Sequence, residues 1–203
     1  MLRALCLDLM DTVVHDPYVV AVEAATGLDL ETVHRLRDPT SWPAFEVGDI
    51  DESAFVRRYF ADPGGPHRFD LEAFHAARRD GCQFLPGMAQ LLDDLAGRIP
   101  RYLASNYPVW IEELRRGLGL DRRFEGVYAS HHLGVRKPDR AFYERLLAEI
   151  GQPAQSCLFV DDDPANCRAA EAVGMRVHRF DGSHDLRQRL RSEGVLPATS
   201  RNR

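Results

Sequence analysis

Two apolar runs end in acids. Leu5-Cys6-Leu7 leads into Asp8, and Cys157-Leu158-Phe159-Val160 leads into Asp161, Asp162 and Asp163. A carboxylate at the end of a buried strand is costly unless its charge is used. In open α/β sheets ligands bind just beyond the carboxyl ends of the strands, which is where a reacting Asp8 belongs; capping of a turn is its structural alternative. Three consecutive carboxylates repel one another. Asp163, standing before Pro164, suits a helix N-cap, which leaves Asp161 and Asp162 as oxygen ligands for a hard cation. Of 26 basic residues only Lys137 is a lysine, set in Gly134-Val135-Arg136-Lys137-Pro138-Asp139. Arginine serves every other basic position, so this one uses the compact point charge of an ammonium, or is the single lysine left by a biased composition. Arg101-Tyr102-Leu103-Ala104 ends in Ser105-Asn106, a hydroxyl and an amide that alone describe only a turn.

These residues need a frame that brings strand ends together. The pattern predicts strands over 3–8, 101–105, 126–129, 157–160 and 175–179, alternating with helices near 87–97, 108–118, 139–149, 165–173 and 184–192. Such alternation implies a parallel sheet with helices on both faces. Between Val14 and Leu85 the pattern is helical only, near 18–26, 30–37, 52–61 and 70–80. Asp38-Pro39 and Asp62-Pro63-Gly64-Gly65-Pro66 break it into a separate unit that can close over the strand ends. Pro197 to Arg203 reads as a frayed tail.

Composition narrows the setting. A chain of 203 residues with 44% hydrophobic content can bury one good core plus a small accessory unit. No run fits a signal peptide or a transmembrane helix, so a cytoplasmic location is expected. Cys6, Cys82, Cys157 and Cys167 show no metal or disulfide spacing and read as reduced packing residues. A net charge of −5 argues against nucleic acid as a partner, and the arginines of 187–191 read as a solvated helix face.

Taken in order, the segments around Asp8, Ser105, Lys137 and Asp161-Asp162, with Asn166 and Gly174-Met175, resemble the haloacid dehalogenase superfamily over nearly the whole chain. Phe45-Glu46-Val47-Gly48-Asp49-Ile50 and Leu85-Pro86-Gly87-Met88 resemble its branch with a small helical cap after the first motif. The resemblance implies a three-layer α/β/α, Rossmann-like core over 1–14 and 86–203, with a helical cap over 15–85. It also implies a Mg²⁺-dependent phosphatase of a small phosphorylated substrate. Asp8 would attack phosphorus and form an aspartyl phosphate. Mg²⁺ would be held by Asp8, the Met10 backbone carbonyl and Asp162, with Asp161 nearby. Lys137 would offset negative charge, Ser105 would hydrogen-bond a phosphate oxygen, Asn106 would support the substrate loop and Asn166 the metal loop.

One residue departs from that pattern. The superfamily's phosphatases usually carry a second aspartate two residues after the nucleophile as general acid and base, and here that position is Met10. Thr12 fixes the alignment, so Asp11 falls where the family usually has glycine. General acid–base catalysis is commonly worth about 10²–10⁴-fold. Three readings follow. The first is a phosphatase in which Asp11, His15 or a cap residue replaces the acid. The second is a 2-haloacid dehalogenase, which needs no such acid but whose anionic substrate the acidic fourth motif would repel. The third is a weak or silent member that binds a phosphorylated ligand or a partner. Substrate choice lies in the cap, where Trp42, Phe45, Glu46, Arg57, Arg58 and Tyr59 are candidates, with Phe45 and Phe55 better explained as packing. His131 and His132 lack metal-ligand spacing and read as structural or surface residues.

Overall fold

The computed structural model describes residues 1–198, so the expected tail lies outside the described residues from 199 onward. Five strands, β1 (Ala4–Leu7), β2 (Arg101–Ser105), β3 (Gly126–Ala129), β4 (Cys157–Asp161) and β5 (Arg176–Arg179), form one sheet in the order β3-β2-β1-β4-β5. Every pairing is parallel. Five helices follow β1: α1 (Tyr18–Thr26), α2 (Leu30–Leu36), α3 (Ser41–Glu46), α4 (Glu52–Arg57) and α5 (Leu71–Gly81). Six more alternate with the remaining strands: α6 (Met88–Asp94), α7 (Ile111–Gly117), α8 (Ser130–Leu133), α9 (Arg140–Ile150), α10 (Pro164–Ala172) and α11 (Ser183–Ser192).

Burial on both faces explains the continuous apolar runs of β1 and β4. Leu5 and Leu7 join Leu103, Leu158 and Val160 beneath α6, α7 and α11. Ala4 and Cys6 face the other way, with Phe142, Tyr143 and Leu146 of α9 and Ala170 of α10. The result is the three-layer α/β/α arrangement. Strand order reverses beside β1, where β2 lies on one side and β4 on the other. The crevice at their carboxyl ends is the switch point at which such sheets bind ligands.

The helical unit has its own aromatic core. Phe55, fully buried, stacks on Phe45 at 4.7 Å and meets Trp42, Tyr59 and Phe69 edge-on. Asp29, Asp51 and Asp70 cap α2, α4 and α5 by accepting from the N–H groups of Thr32, Ala54 and Ala73. The unit is also fused to the sheet domain: Trp110, just before α7, packs against Trp42, Phe45, Phe55 and Phe74, and its indole N–H donates to Glu52.

Two helices were not expected. α3 carries Pro43 in its first turn, where the missing N–H costs no bond. α8 is a single turn, too short to show a period. Conversely, the pattern over 52–61 runs past the end of α4. There Asp38 N–H donates to the Tyr59 carbonyl and Ala61 N–H to that of Leu36, so tertiary pairing takes the backbone groups a longer helix would use.

Candidate active site

Asp8 sits one residue beyond β1, with its N–H donating to the Val160 carbonyl at 2.9 Å. The chain then winds tightly, since the N–H groups of Val13 and Val14 both donate to the Leu9 carbonyl. Asp11 closes that turn with φ +52°, a left-handed conformation that aspartate tolerates better than most residues and that explains why glycine suits the position. Its carboxylate points away from Asp8's cavity, accepts the Asp16 N–H at 3.0 Å and stands 3.7 Å from His15 Nδ1. The half-exposed His15 imidazole is likewise outside the cavity lining.

Lys137 reaches the site from the loop between α8 and α9. Its side chain is 1% exposed, and Nζ donates to Asp8 Oδ1 at 2.7 Å and to Asp161 Oδ2 at 2.6 Å. Burial alone would favour loss of its proton, but the two carboxylates outweigh that and hold its pKa above the ordinary lysine value. Asn106, directly after β2, fixes the loop. Its Oδ1 accepts the Lys137 N–H at 2.7 Å and its Nδ2 donates to the Lys137 carbonyl at 2.9 Å. The Asn106 amide is therefore engaged with the lysine backbone, while Ser105, also at the β2 end, lines the cavity beside Asp8.

Oxygen atoms of Asp8, Asp161 and Asp162 lie within 4.8 Å of one another. Asp161 is fully buried and saturated with donors: Lys137 Nζ, both approaches of Asn166 Nδ2 at 3.1 Å, and the Asp163 N–H at 2.9 Å. Asn166 thus holds Asp161 rather than facing a ligand alone. Asp163 caps α10 through the Ala165 N–H, as its position before Pro164 implies. Burial pushes the Asp8 carboxyl up to about 7 against the pull of Lys137, with a further push from Asp161. Burial and then the Asp161 charge raise Asp162. Three carboxylates thus face one ammonium. A hard divalent cation fits such an oxygen set, with Asp8 and Asp162 offering the oxygens Asp161 cannot.

The site opens into a cavity of about 340 Å³ between the sheet and the helical unit. Its floor carries Asp8, Met10, Ser105 and Lys137, and its walls carry Tyr18, Trp42, Phe74 and Tyr107. Arg57 and Arg58 are not among the lining residues; Arg58 lies 3.7 Å from Asp38 instead. Besides Lys137, the cavity's cations are Arg37 and Arg78, which spacing did not single out. Arg78 is compensated by Glu113, whereas Arg37 donates to the Tyr18 hydroxyl at 3.1 Å and has no carboxylate within 4 Å among the described residues. Glu46, also on the wall, accepts from Trp42 Nε1 at 2.6 Å and pairs with Arg136 at 2.7 Å. Asp16, in the entry segment before α1, is a further lining carboxyl that the sequence analysis did not single out. His132 receives the Ala129 N–H on Nδ1 and meets Glu112 on Nε2.

The profile of the haloacid dehalogenase-like hydrolases matches residues 2–174. This chain belongs to that family of hydrolases. As a haloacid dehalogenase-like hydrolase it is 33% identical over 195 residues to flavin mononucleotide hydrolase 1 of Arabidopsis thaliana, covering 96% of this chain and 78% of that one. It is 31% identical over 156 residues to the sesquiterpene phosphatase astK of Aspergillus oryzae, covering 74% and 77%. A solved enzyme of the family from Bacteroides thetaiotaomicron, in complex with magnesium and inorganic phosphate, shares its fold with a TM-score of 0.69 at 17% identity over 91% of this chain and 98% of that one. Among the described residues no helix is long and apolar enough to cross a membrane.

Proposed function

We propose that this hydrolase is a Mg²⁺-dependent phosphatase of a small phosphate ester or activated phosphate, acting through an aspartyl phosphate on Asp8. The observation that carries the reading is the cluster of three carboxylates, buried Asp8 and Asp161 paired with a single lysine and half-buried Asp162 beside them. Such a cluster is short of positive charge, and a divalent cation with a phosphoryl group supplies the balance. Held by Asp8, Asp162 and the Met10 carbonyl, with Asp161 behind them, Mg²⁺ would shield the approach of one anion to another. The chain's own residues do the remainder. Lys137 keeps Asp8 oriented and offsets charge on the transferring group. Ser105 offers its hydroxyl to a phosphate oxygen, Asn106 holds the Lys137 loop in place, and Asn166 orients Asp161.

The aromatic wall supports a phosphate ester whose leaving group is flat or apolar, in keeping with the two relatives named for a flavin mononucleotide and a sesquiterpene phosphate activity. A cytoplasmic setting belongs to the same reading, supported by four cysteines that are all unpaired and buried. The test is hydrolysis of 4-nitrophenyl phosphate with Mg²⁺, beside calorimetric titration of the ion. Turnover that is lost with a chelator and in Asp8→Asn is expected. Met10 favours one other reading, a silent binder. Mg²⁺ binding with no turnover on a panel of phosphate esters would put that reading first.

A further inference from the structure

If this site is the phosphatase just described, a proton must reach the departing oxygen, and Met10 cannot supply it. Asp11 is half-exposed and outside the cavity, as is His15. Glu46 also lines the cavity, and burial raises its pKa against the pull of Arg136 and Trp42, but those two partners already occupy both of its carboxylate oxygens. Asp16 is the remaining lining carboxyl, and the backbone fixes it. Val13 and His15 on the way into the helical unit pair with Leu85 and Gln83 on the way out: His15 N–H donates to the Gln83 carbonyl and Leu85 N–H to that of Val13. Asp16 follows that ladder directly, with its N–H on Asp11. One oxygen, Oδ1, accepts the Tyr18 N–H at 2.9 Å, while Oδ2 has no hydrogen-bond partner among the described residues.

We infer that Asp16 is the general acid and base that replaces the carboxylate absent at Met10. In the first step the Asp8 carboxylate bonds to phosphorus, the bond to the ester oxygen breaks, and the Asp16 proton goes to that oxygen. In the second, the Asp16 carboxylate takes a proton from water as the water oxygen bonds to phosphorus and the bond to Asp8 breaks. This releases phosphate and restores both carboxyls. The groups facing Asp16 are His15 and Asp11 on its own segment, Asp162 after β4, Cys82 after α5 and Tyr107 after β2. Burial, followed at some remove by the charges of Asp11 and Asp162, holds its pKa above the ordinary aspartate range, as an acid working toward neutral pH requires.

Capping of α1 through Tyr18 is the structural role to be separated from this one. Asp16→Asn keeps the cap and removes the proton. The experiment compares kcat/KM, which reports steps up to phosphoryl transfer, for an alkyl phosphate and for 4-nitrophenyl phosphate, whose leaving group departs unprotonated. In Asp16→Asn the alkyl ester should lose about 10²–10⁴-fold, and the nitrophenyl ester at least tenfold less than that. The nitrophenyl reaction should show a burst of one equivalent before slow turnover, because the water step still lacks its base. The wild-type fall of alkyl kcat/KM at high pH, as the acid ionises, should disappear. Asp16→Ser, which also caps α1 and also lacks a titratable proton, must show the same split. Equal losses on both esters would mean a structural role, and no loss on either would mean another donor; each overturns the assignment. Absence of any Asp8-dependent hydrolysis in the wild type would instead overturn the phosphatase reading.

Discussion

Lys137→Met removes the one cation from the buried carboxylate cluster while keeping a side chain of similar length and its contact near the Phe159 ring, 5.6 Å from Nζ. Two charge-assisted hydrogen bonds are lost, at 2.7 and 2.6 Å. At about 1.5–3 kcal/mol each they suggest roughly 3–6 kcal/mol. Removal of one member of a buried ionic group gives about 3–5 kcal/mol independently. The cost depends on pH in a definite direction. Even with Lys137 present, burial raises Asp8 from 3.8 to about 7, and without the ammonium it rises further. A carboxyl whose folded pKa exceeds its unfolded value favours folding at low pH and loses that contribution as the pH rises through the folded pKa. The variant should therefore be destabilised by about 3–5 kcal/mol at pH 8 and by about 1.4 kcal/mol less at pH 5.5, because wild-type Asp8 stops gaining protons on folding above about pH 7 while the variant's Asp8 goes on doing so over the next pH unit. Urea denaturation at both pH values is the assay. A loss below about 1 kcal/mol at pH 8, or one independent of pH, would refute the argument that the lysine neutralises a buried pair. Asp8→Asn in the same background should recover part of the loss, since it removes one of the stranded charges.

Other residues give sharper tests of single roles. Asn106→Ala breaks both bonds to the Lys137 backbone and should cost about 2 kcal/mol in urea denaturation, with a fall in kcat that exceeds any change in KM. Asp11→Asn, which keeps the bond to Asp16 and tolerates positive φ, should retain activity within about twofold if Asp11 carries no proton. Asp11→Ala, strained at φ +52°, should lose about 1–2 kcal/mol. Phe55→Ala, at the centre of the aromatic cluster, should cost about 3–5 kcal/mol and, through Trp110, lower the unfolding midpoint of the whole chain rather than of the helical unit alone.

The strands and the place of Asp8 at the end of one were readable because one physical cause, burial on both faces of a parallel sheet, writes a continuous apolar run that makes a terminal acid conspicuous. Lys137 was visible by rarity. The cavity walls were not, because their residues come from separate short helices joined only by tertiary pairing. Arg37 sits at the end of α2, beside an Asp-Pro break, and nothing in its spacing distinguishes it from Arg57 or Arg58. Asp16 resembles any aspartate that precedes a proline and opens a helix. Asn106 read as a turn residue, since its partner lies 31 residues away.

The cavity's two ends are built by different means, and they meet at one contact. The end at Asp8 is fixed by the backbone: Asp8 and Ser105 are anchored by bonds of the sheet, and Lys137 by the amide pair to Asn106. The other end rests on α1, α2 and α3, three short helices of the helical unit. Glu46 ties the two. Its carbonyl accepts the Ser130 hydroxyl at 2.8 Å, Ser130 in turn accepts the Tyr107 N–H, and its carboxylate pairs with Arg136, the residue before Lys137. A leaving group that displaces α3 would therefore strain the loop that aims the lysine. On the proposed phosphatase reading, discrimination on the aromatic wall would reach Asp8 through Arg136 and Lys137, and part of the substrate selection would then show in kcat as well as in binding.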